Sequence, residues 1–277
     1  MLIAAYAGCG KSTAAQQLGP DVVDLPSMPY RWLLPCKDLS LCSGAELERE
    51  KGALHHIGDP RFPQNYILEL LRAEQSGKTV LLPTIVSGID ALVEQYGRTV
   101  YVVAPEPGLK EEYRQRYQAR GNSGSFHALF IEGWSDRLAD LQKSKGIHRH
   151  LKSGEYLTPL AAALMEQNRT PPAPVAGGAL EELERTVQEK GRDLVLWVWG
   201  REGSYACPVR DIDRPETREI LDSIGLAAYN RALPRCALYS QEDVRRYERE
   251  WPAAVTWFED ETPLLAAVRR EEAGFMA

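Results

Sequence analysis

A glycine-rich turn that carries a lysine constrains the fold of this chain more than any other feature. The run Gly8-Cys9-Gly10-Lys11-Ser12-Thr13 follows a short apolar segment, Leu2–Tyr6, and opens a helix-compatible segment, Lys11–Leu18, that stops at Gly19-Pro20. Strand, turn and helix in this order bring the backbone N–H groups of a tight turn to a helix N-terminus, which is an anion-binding arrangement. The sequence therefore predicts a phosphate-binding loop over these six residues.

The motif assigns roles to two side chains of this loop. Lys11 would reach the β- and γ-phosphates of a bound nucleotide, and Ser12 would be a ligand of Mg²⁺. The full pattern G-x-x-x-x-G-K-[ST] has glycine where this chain has Ala5. Alanine fits there if the residue stays extended, so we expect a variant phosphate loop; the alternative is a tight turn that merely contains a lysine.

The acidic residue that usually orients Mg²⁺ does not stand at the end of the most apolar strand, because Thr79–Thr84 ends in Pro83-Thr84. This weakens a motor or helicase interpretation, in which such an acid positions the metal and the attacking water. Asp24, at the end of the second predicted strand, Asp21–Leu25, is the remaining candidate, because the carboxyl ends of parallel strands line one crevice. It would hold Mg²⁺ or bind and deprotonate an acceptor hydroxyl; the alternative is a turn cap before Pro26.

A basic helix is the second informative segment. Arg116 and Arg120 are four residues apart in the predicted helix Glu111–Arg120 and so share one face, and Gly121 lets the chain turn beyond them. Arginines on a mobile flap would neutralise phosphoryl oxygens and exclude water on closure. The alternative is a solvated helix in which Glu112 pairs with Arg116.

Strands and helices alternate through the first 168 residues, which predicts an α/β domain with a mostly parallel sheet. Residues 169–178, rich in Pro, Gly and Ala, are typical of a linker. Residues 179–277 are expected to form a small acidic α+β module. Residues 1–178 carry 19 basic and 19 acidic side chains, and the remaining 99 carry 14 and 20, so the net charge of −6 lies in the C-terminal part.

Composition excludes some classes of protein. The charge balance argues against a generally basic nucleic-acid-binding protein, although not against a local basic cleft. Apolar runs are strand-sized, well short of the roughly 18–20 residues of a membrane span, so no membrane association is expected. No secretory signal pattern follows Met1, and the five cysteines lack CxxC spacing; we expect a cytoplasmic protein with reduced thiols and no zinc site.

Over about residues 1–168 the chain resembles the P-loop nucleotide kinases common in bacteriophages and prophages. The matching segments are the phosphate loop, Asp24 with Ser27–Trp32, Asp59–Tyr66, Glu111–Asn122 with Phe126 and Trp134, and Gly154–Leu157. The resemblance implies a three-layer P-loop kinase-like fold with a five-stranded parallel sheet, an arginine-bearing lid, and an acceptor side that includes Asp59–Tyr66. It implies phosphate roles for Lys11, Ser12, Arg116 and Arg120, and an acceptor or metal role for Asp24.

The expected activity is Mg²⁺-dependent transfer of the γ-phosphate of ATP to a nucleotide or nucleoside-like acceptor, in the host cytoplasm if the chain is phage-encoded. A first alternative is the same chemistry on a hydroxymethylated base in DNA, as in similar phage kinases, which the neutral charge balance of residues 1–178 disfavours. A second is a non-catalytic nucleotide-binding protein whose acidic module, residues 179–277, contacts a protein partner.

Overall fold

The structure is a computed structural model that describes residues 1–33, 57–168, 172–175, 177–199, 203–229, 235–252 and 255–276. The predicted helix Ser43–Gly52 lies outside these ranges, as do some residues of the predicted linker. Among the described residues, no helix has both the length and the apolar character that crossing a membrane would require.

The described residues form the following strands: β1 (Leu2–Ala5), β2 (Val22–Asp24), β3 (Trp32–Leu33), β4 (Ile57–Gly58), β5 (Thr79–Pro83), β6 (Val100–Pro105), β7 (Ile147–Leu151), β8 (Leu194–Trp199), β9 (Ser204–Val209), β10 (Arg235–Ser240) and β11 (Val255–Trp257). They form the following helices: α1 (Lys11–Leu18), α2 (Met28–Arg31), α3 (Gln64–Gln75), α4 (Val86–Glu94), α5 (Lys110–Ala119), α6 (Gly124–His127), α7 (Trp134–Gln142), α8 (Leu157–Gln167), α9 (Ala179–Lys190), α10 (Pro215–Tyr229), α11 (Gln241–Glu250) and α12 (Glu261–Met276). A 3₁₀ turn, Pro107–Leu109, precedes α5, and a π-helical turn, Ala128–Glu132, joins α6 to α7.

Residues 1–27 and 66–183 form one compact unit around a five-stranded sheet. The strand order is β2-β5-β1-β6-β7 and every pairing is parallel. All four residues of the central strand β1 are fully buried, as expected for a parallel sheet covered on its faces by other elements. The α/β class and the parallel sheet are thereby confirmed.

This topology places the loop after β1 at the carboxyl edge of the sheet. Asp24 pairs in register with Leu81 of β5, and Leu81 pairs with Ile3 of β1, so the ends of β1 and β2 lie at the same edge. The helix that follows the loop, α1, packs against α8 and β2.

The sequence predicts a single helix over Phe126–Lys143, and this prediction is wrong. The π-helical turn interrupts it, and the chain restarts as α7 after Gly133, whose N–H donates to the carbonyl of Ala128. The extra residue of a π turn rotates the following side chains. Phe130 and Trp134 both contact the ring of Tyr6, with centroids 5.7 and 5.6 Å away.

Residues 28–65 and 184–277 form the second compact unit. Its sheet has the order β10-β8-β9-β11, with antiparallel pairs except for the parallel pair β9–β11. The antiparallel ribbon β3–β4 belongs here because Leu33 and Ile57 are buried in one apolar cluster with Leu196 and Val198. This division differs from the predicted one, which assigned residues 28–65 to the N-terminal domain.

Gly146, just before β7, tests the packing of the first unit. A Cβ at this position would lie 2.4 Å from Cγ2 of Val102 and 2.7 Å from the backbone oxygen of Val100. We expect Gly146→Ala to lower the free energy of unfolding by about 1–3 kcal/mol, because the backbone oxygen cannot rotate away. Urea denaturation measures this free energy of unfolding. The control is Gly108→Ala, because a Cβ at Gly108 meets open space, and its free energy of unfolding should stay within about 0.5 kcal/mol of wild type. Equal midpoints for the two variants would contradict this packing.

Candidate functional site

The turn between β1 and α1 adopts a backbone that two glycines make accessible. Gly8 and Gly10 have φ angles of 81° and 92°, in the left-handed region that disfavours residues with a Cβ. A Cβ on Gly8 would lie 2.7 Å from the ring of Tyr117, and one on Gly10 would lie 3.2 Å from the ring of Tyr156. Backbone conformation and side-chain packing therefore both require glycine at position 8.

The variant position of the motif is accommodated as the sequence predicts. Ala5 is the last residue of β1, fully buried and paired with Pro83 on one side and Val103 on the other. An extended position inside a sheet does not require glycine. The loop begins only after it, at Tyr6, whose N–H donates to the carbonyl of Val103.

The first turn of α1 points its amide groups at this loop. The helix begins at Lys11, and the first backbone hydrogen bond across its start runs from the N–H of Ala14 to the carbonyl of Gly10. The leading N–H groups of an α-helix have no acceptor within the helix, and here they belong to Lys11, Ser12 and Thr13. The positive end of the α1 dipole thus lies at the glycine turn, an arrangement that favours anions.

Ser12 and Asp24 form the polar contact that the metal hypothesis needs. The hydroxyl of Ser12 donates to Oδ2 of Asp24 at 2.7 Å. The other carboxylate oxygen, Oδ1, is buried and has no hydrogen-bond partner among the described residues. Buried polar oxygens are normally satisfied, and carboxylate and hydroxyl oxygens are ligands that Mg²⁺ prefers. This pair therefore fits a magnesium ion, which commonly takes only one or two protein ligands beside phosphate and water.

The lysine of the loop is folded back over it. Nζ of Lys11 donates to the carbonyl of Ala5 at 2.9 Å, so the side chain spans the turn from the helix to the end of β1. The ammonium group is thereby kept at the loop.

Cys9 contributes its backbone rather than its side chain. The thiol is fully buried, with Sγ 3.3 Å from the hydroxyl of Tyr113, and burial raises the pKa of Cys9 above its ordinary value. The carbonyl of Cys9 accepts from the N–H of Leu157, the first residue of α8. The loop is tied in this way to a second helix.

An aromatic cluster, formed by Tyr6, Tyr113, Tyr117, Phe126, Phe130 and Trp134, supports the loop. Tyr113 and Tyr117 of α5 are fully buried, and the hydroxyl of Tyr117 donates to the carbonyl of Ala7 at 2.9 Å. No role for either tyrosine is predicted from the sequence. Their i,i+4 spacing was the available signal, since it puts both rings on one face of α5.

Of the two predicted arginines, Arg116 contacts the loop. Its Nη1 donates to the carbonyl of Gly8 at 3.3 Å, and its guanidinium stacks over the rings of Tyr113 and Tyr156 at 4.6 and 4.1 Å from their centroids. Arg120 lies just after α5 and is exposed, with no loop contact of its side chain among the described residues. The predicted pair of Arg116 with Glu112 is present as well.

The turn between β7 and α8, Lys152–Tyr156, is a part of the site that motif reasoning did not assign. Tyr156 lies against Gly10 and is 51% exposed, and the carbonyl of Glu155 accepts from Nη2 of Arg116 at 3.0 Å. Its sequence signals were a polar turn at the carboxyl end of a parallel strand and the kinase resemblance, whose matching segments include Gly154–Leu157.

The predicted acceptor segment is divided between the two units. Asp59–Asn65 belong to the second unit, where Asp59 is buried and bonded to Arg61, which also pairs with Asp213. The acceptor role of this segment stays a prediction.

No protein-family model matches the chain, and neither the curated proteins nor the solved structures contain a significant match to it. The interpretation of the site therefore rests on the loop, its neighbours and their chemistry.

The burial of Cys9 predicts its reactivity. Because the pKa of the thiol is raised, the reactive thiolate is scarce at pH 8, and the side chain is inaccessible as well. We expect Cys9 to resist iodoacetamide in the native protein at pH 8 and to react once urea unfolds the chain. Peptide mapping by mass spectrometry measures this for each cysteine. Rapid native alkylation of Cys9 would contradict the placement of its side chain.

Proposed function

We propose that this protein is a Mg²⁺-dependent kinase of the P-loop type that transfers the γ-phosphate of ATP to a nucleotide or nucleoside-like acceptor. One observation carries the proposal: the glycine loop, the N-terminus of α1, Lys11 and the Ser12–Asp24 pair converge at the carboxyl edge of a parallel sheet. Ligands of open α/β sheets bind at this edge.

Phosphate binding would use two cations that each donate to a main-chain carbonyl. Lys11 donates to the carbonyl of Ala5, and Arg116 to the carbonyl of Gly8. A phosphate oxygen carries charge, and charge-assisted hydrogen bonds are roughly twice as strong as neutral ones, so a phosphate competes well for both cations. The N–H groups of Ser12 and Thr13 in the first turn of α1 would add donors to the phosphate.

Ser12 and Asp24 would hold Mg²⁺, and the unsatisfied Oδ1 of Asp24 supports this role. When bound, the ion would neutralise charge on the phosphates. Alternatively, Asp24 would accept a proton from an acceptor hydroxyl. In either role its ionised carboxylate is required.

The protein's contribution to catalysis would be positioning and charge neutralisation. Phosphoryl transfer needs little covalent work from the enzyme. Lys11, on the helix that follows the glycine loop, donates to the carbonyl of Ala5 at the end of β1, and Arg116 of α5 donates to the carbonyl of Gly8. Two cations anchored in this way can stabilise negative charge with little reorganisation.

Lys11→Ala tests the proposed activity directly. With ATP, Mg²⁺ and a panel of nucleoside monophosphates and nucleosides, the wild-type chain should form phosphorylated product, and Lys11→Ala should reduce kcat/KM at least a hundredfold through loss of phosphate stabilisation. Chromatography of the product measures it. Lys143→Ala, which removes an exposed lysine paired with Asp140, is the control and should leave activity unchanged.

The same assay separates the proposed acceptor class from its alternatives. If product forms only with oligonucleotides that carry hydroxymethylated bases, the acceptor is DNA and not a free nucleotide. If calorimetry shows tight binding of ATP but no acceptor yields a product, the proposed kinase activity is contradicted. The alternative of a non-catalytic nucleotide-binding protein would then be supported.

Asp24→Asn tests the metal or base role of the carboxylate. Asparagine keeps the size and an acceptor for Ser12 but removes the charge, so we expect kcat/KM to fall at least tenfold and the Mg²⁺ concentration for half-maximal rate to rise. Asp21→Asn is the matched control, because Asp21 immediately precedes the same strand and its side chain is 81% exposed. Equal activity of both variants would contradict a role for Asp24.

A further inference from the structure

The side chain of Arg116 is more restrained by its contacts than is expected for an arginine on a mobile flap. Its side chain is 9% exposed, and its guanidinium donates to the carbonyls of Gly8 and Glu155 and to the carboxylate of Glu112. A guanidinium has five N–H donors, so these three hydrogen bonds leave two donors for other acceptors. The stacked rings of Tyr113 and Tyr156 further restrict its rotation.

Glu112 connects this arginine to another part of the site. Its carboxylate accepts from the hydroxyl of Ser153 at 2.8 Å and from the N–H of Gly154 at 3.1 Å, in addition to Arg116. Partial burial alone would raise the pKa of Glu112, but the hydrogen bonds from Ser153, Gly154 and Arg116 outweigh it and hold the pKa below its ordinary value. The carboxylate is therefore ionised at neutral pH, as the contact with Arg116 requires.

The turn that Glu112 holds is itself fastened to the phosphate loop. Leu157 donates its N–H to the carbonyl of Cys9 at 2.9 Å, and the ring of Tyr156 lies against Gly10. Glu112, Arg116 and the turn Lys152–Tyr156 thus form a closed set of contacts around the loop, which we name the clasp. Within the clasp, the carboxylate of Glu112 connects Arg116 to the turn Lys152–Tyr156.

We propose that Glu112 is a positioning residue that orients the guanidinium of Arg116 at the phosphate loop by tying it to the turn Lys152–Tyr156. This inference rests on the proposed function, since it assigns Arg116 to phosphate. A single ionised group that satisfies both an arginine and a backbone amide stiffens the arginine without occupying all its donors. Supporting contacts of this kind hold a functional side chain in productive geometry.

A competing role for Glu112 predicts a different effect of its removal on ATP binding. If Glu112 only competed with phosphate for Arg116, its removal would release the cation and tighten ATP binding. If Glu112 positions Arg116, its removal leaves ATP affinity nearly unchanged and lowers the rate of transfer, because the misoriented cation no longer matches the charge of the transition state.

The experiment compares Glu112→Ala and Glu112→Gln with Glu111→Gln in the full chain. Glu111 is the matched control, because it pairs with Arg114 on the same helix, is 63% exposed and makes no contact with the clasp among the described residues. Ser153→Ala is a milder second variant that removes one donor to Glu112. Circular dichroism verifies that each variant is folded.

Two readouts need no nucleotide. Hydrogen–deuterium exchange at the amide of Gly154 should be about tenfold faster in Glu112→Ala, with Glu112→Gln intermediate, because an amide oxygen is a weaker acceptor than a carboxylate. The Nε–H signal of Arg116 in ¹⁵N NMR, identified by its loss in Arg116→Ala, should be protected in the wild type and exchange-broadened in Glu112→Ala. Glu111→Gln should change neither measurement.

The kinetic readout is the division between kcat and KM. We expect Glu112→Ala to lower kcat about tenfold and to change KM for ATP less than threefold, with partial rescue in Glu112→Gln. Wild-type exchange and NMR behaviour in Glu112→Ala, or tighter ATP binding with kcat preserved, would overturn the positioning role. Failure of the wild type to bind ATP would instead overturn the proposed function, and the ligand-free readouts would still decide whether Glu112 holds Arg116 in place.

Discussion

The close approach of two tyrosine rings to a glycine turn is the contact on which the site depends. Tyr117 lies so near Gly8 that a Cβ there would be 2.7 Å from the ring, and its hydroxyl binds the carbonyl of Ala7. Tyr113 lies beside it, with its hydroxyl 3.3 Å from the Cys9 thiol. Aromatic side chains supply large buried area together with a polar end. Here the rings pack against Gly8 while the two hydroxyl groups contact Ala7 and Cys9, and these contacts together hold the turn in its conformation.

The charged groups around this loop are arranged so that a phosphate would improve their interactions. Lys11 and Arg116 donate to main-chain carbonyls, and one oxygen of Asp24 has no partner among the described residues. Partly satisfied polar groups cost stability in a core, and they are common at sites that bind ligands. The clasp formed around Arg116 by Glu112 then keeps one of these cations in place.

The second unit is stabilised by a different kind of contact. Its sheet buries apolar side chains from β8 and β9 against Ile57 of the ribbon β3–β4, and Arg61 pairs with both Asp59 and Asp213. Two segments that are far apart in the chain therefore contribute to one core. No motif in residues 184–277 marks a chemical function, and the charged helix α11 is largely exposed apart from the buried Val244.

Local sequence determined much of the first unit, because strand, turn and helix signals act over a few residues. The sequence predicts a helix over Lys11–Leu18, a strand over Ile147–Leu151 and a helix over Leu157–Gln167, and α1, β7 and α8 have these bounds. Ala5 is extended, as the variant motif required. The strands β10 and β11 were not predicted, since an apolar run of strand length acquires a defined state only when a sheet pairs with it. The helix α12 was not predicted either. The helix expected over Phe126–Lys143 was interrupted because aromatic packing on Tyr6 outweighs helix propensity.

For the candidate site, the sequence by itself determined the loop residues, the lysine and the arginine helix, because their chemistry follows from residue type and spacing. Only the tertiary structure decided which arginine reaches the loop, that Ser12 meets Asp24, and that the turn before α8 closes around Arg116. These contacts join residues that are 12 to 108 positions apart. The order of strands in the sheet brings them together, and that order depends on the burial of the whole core rather than on any local pattern.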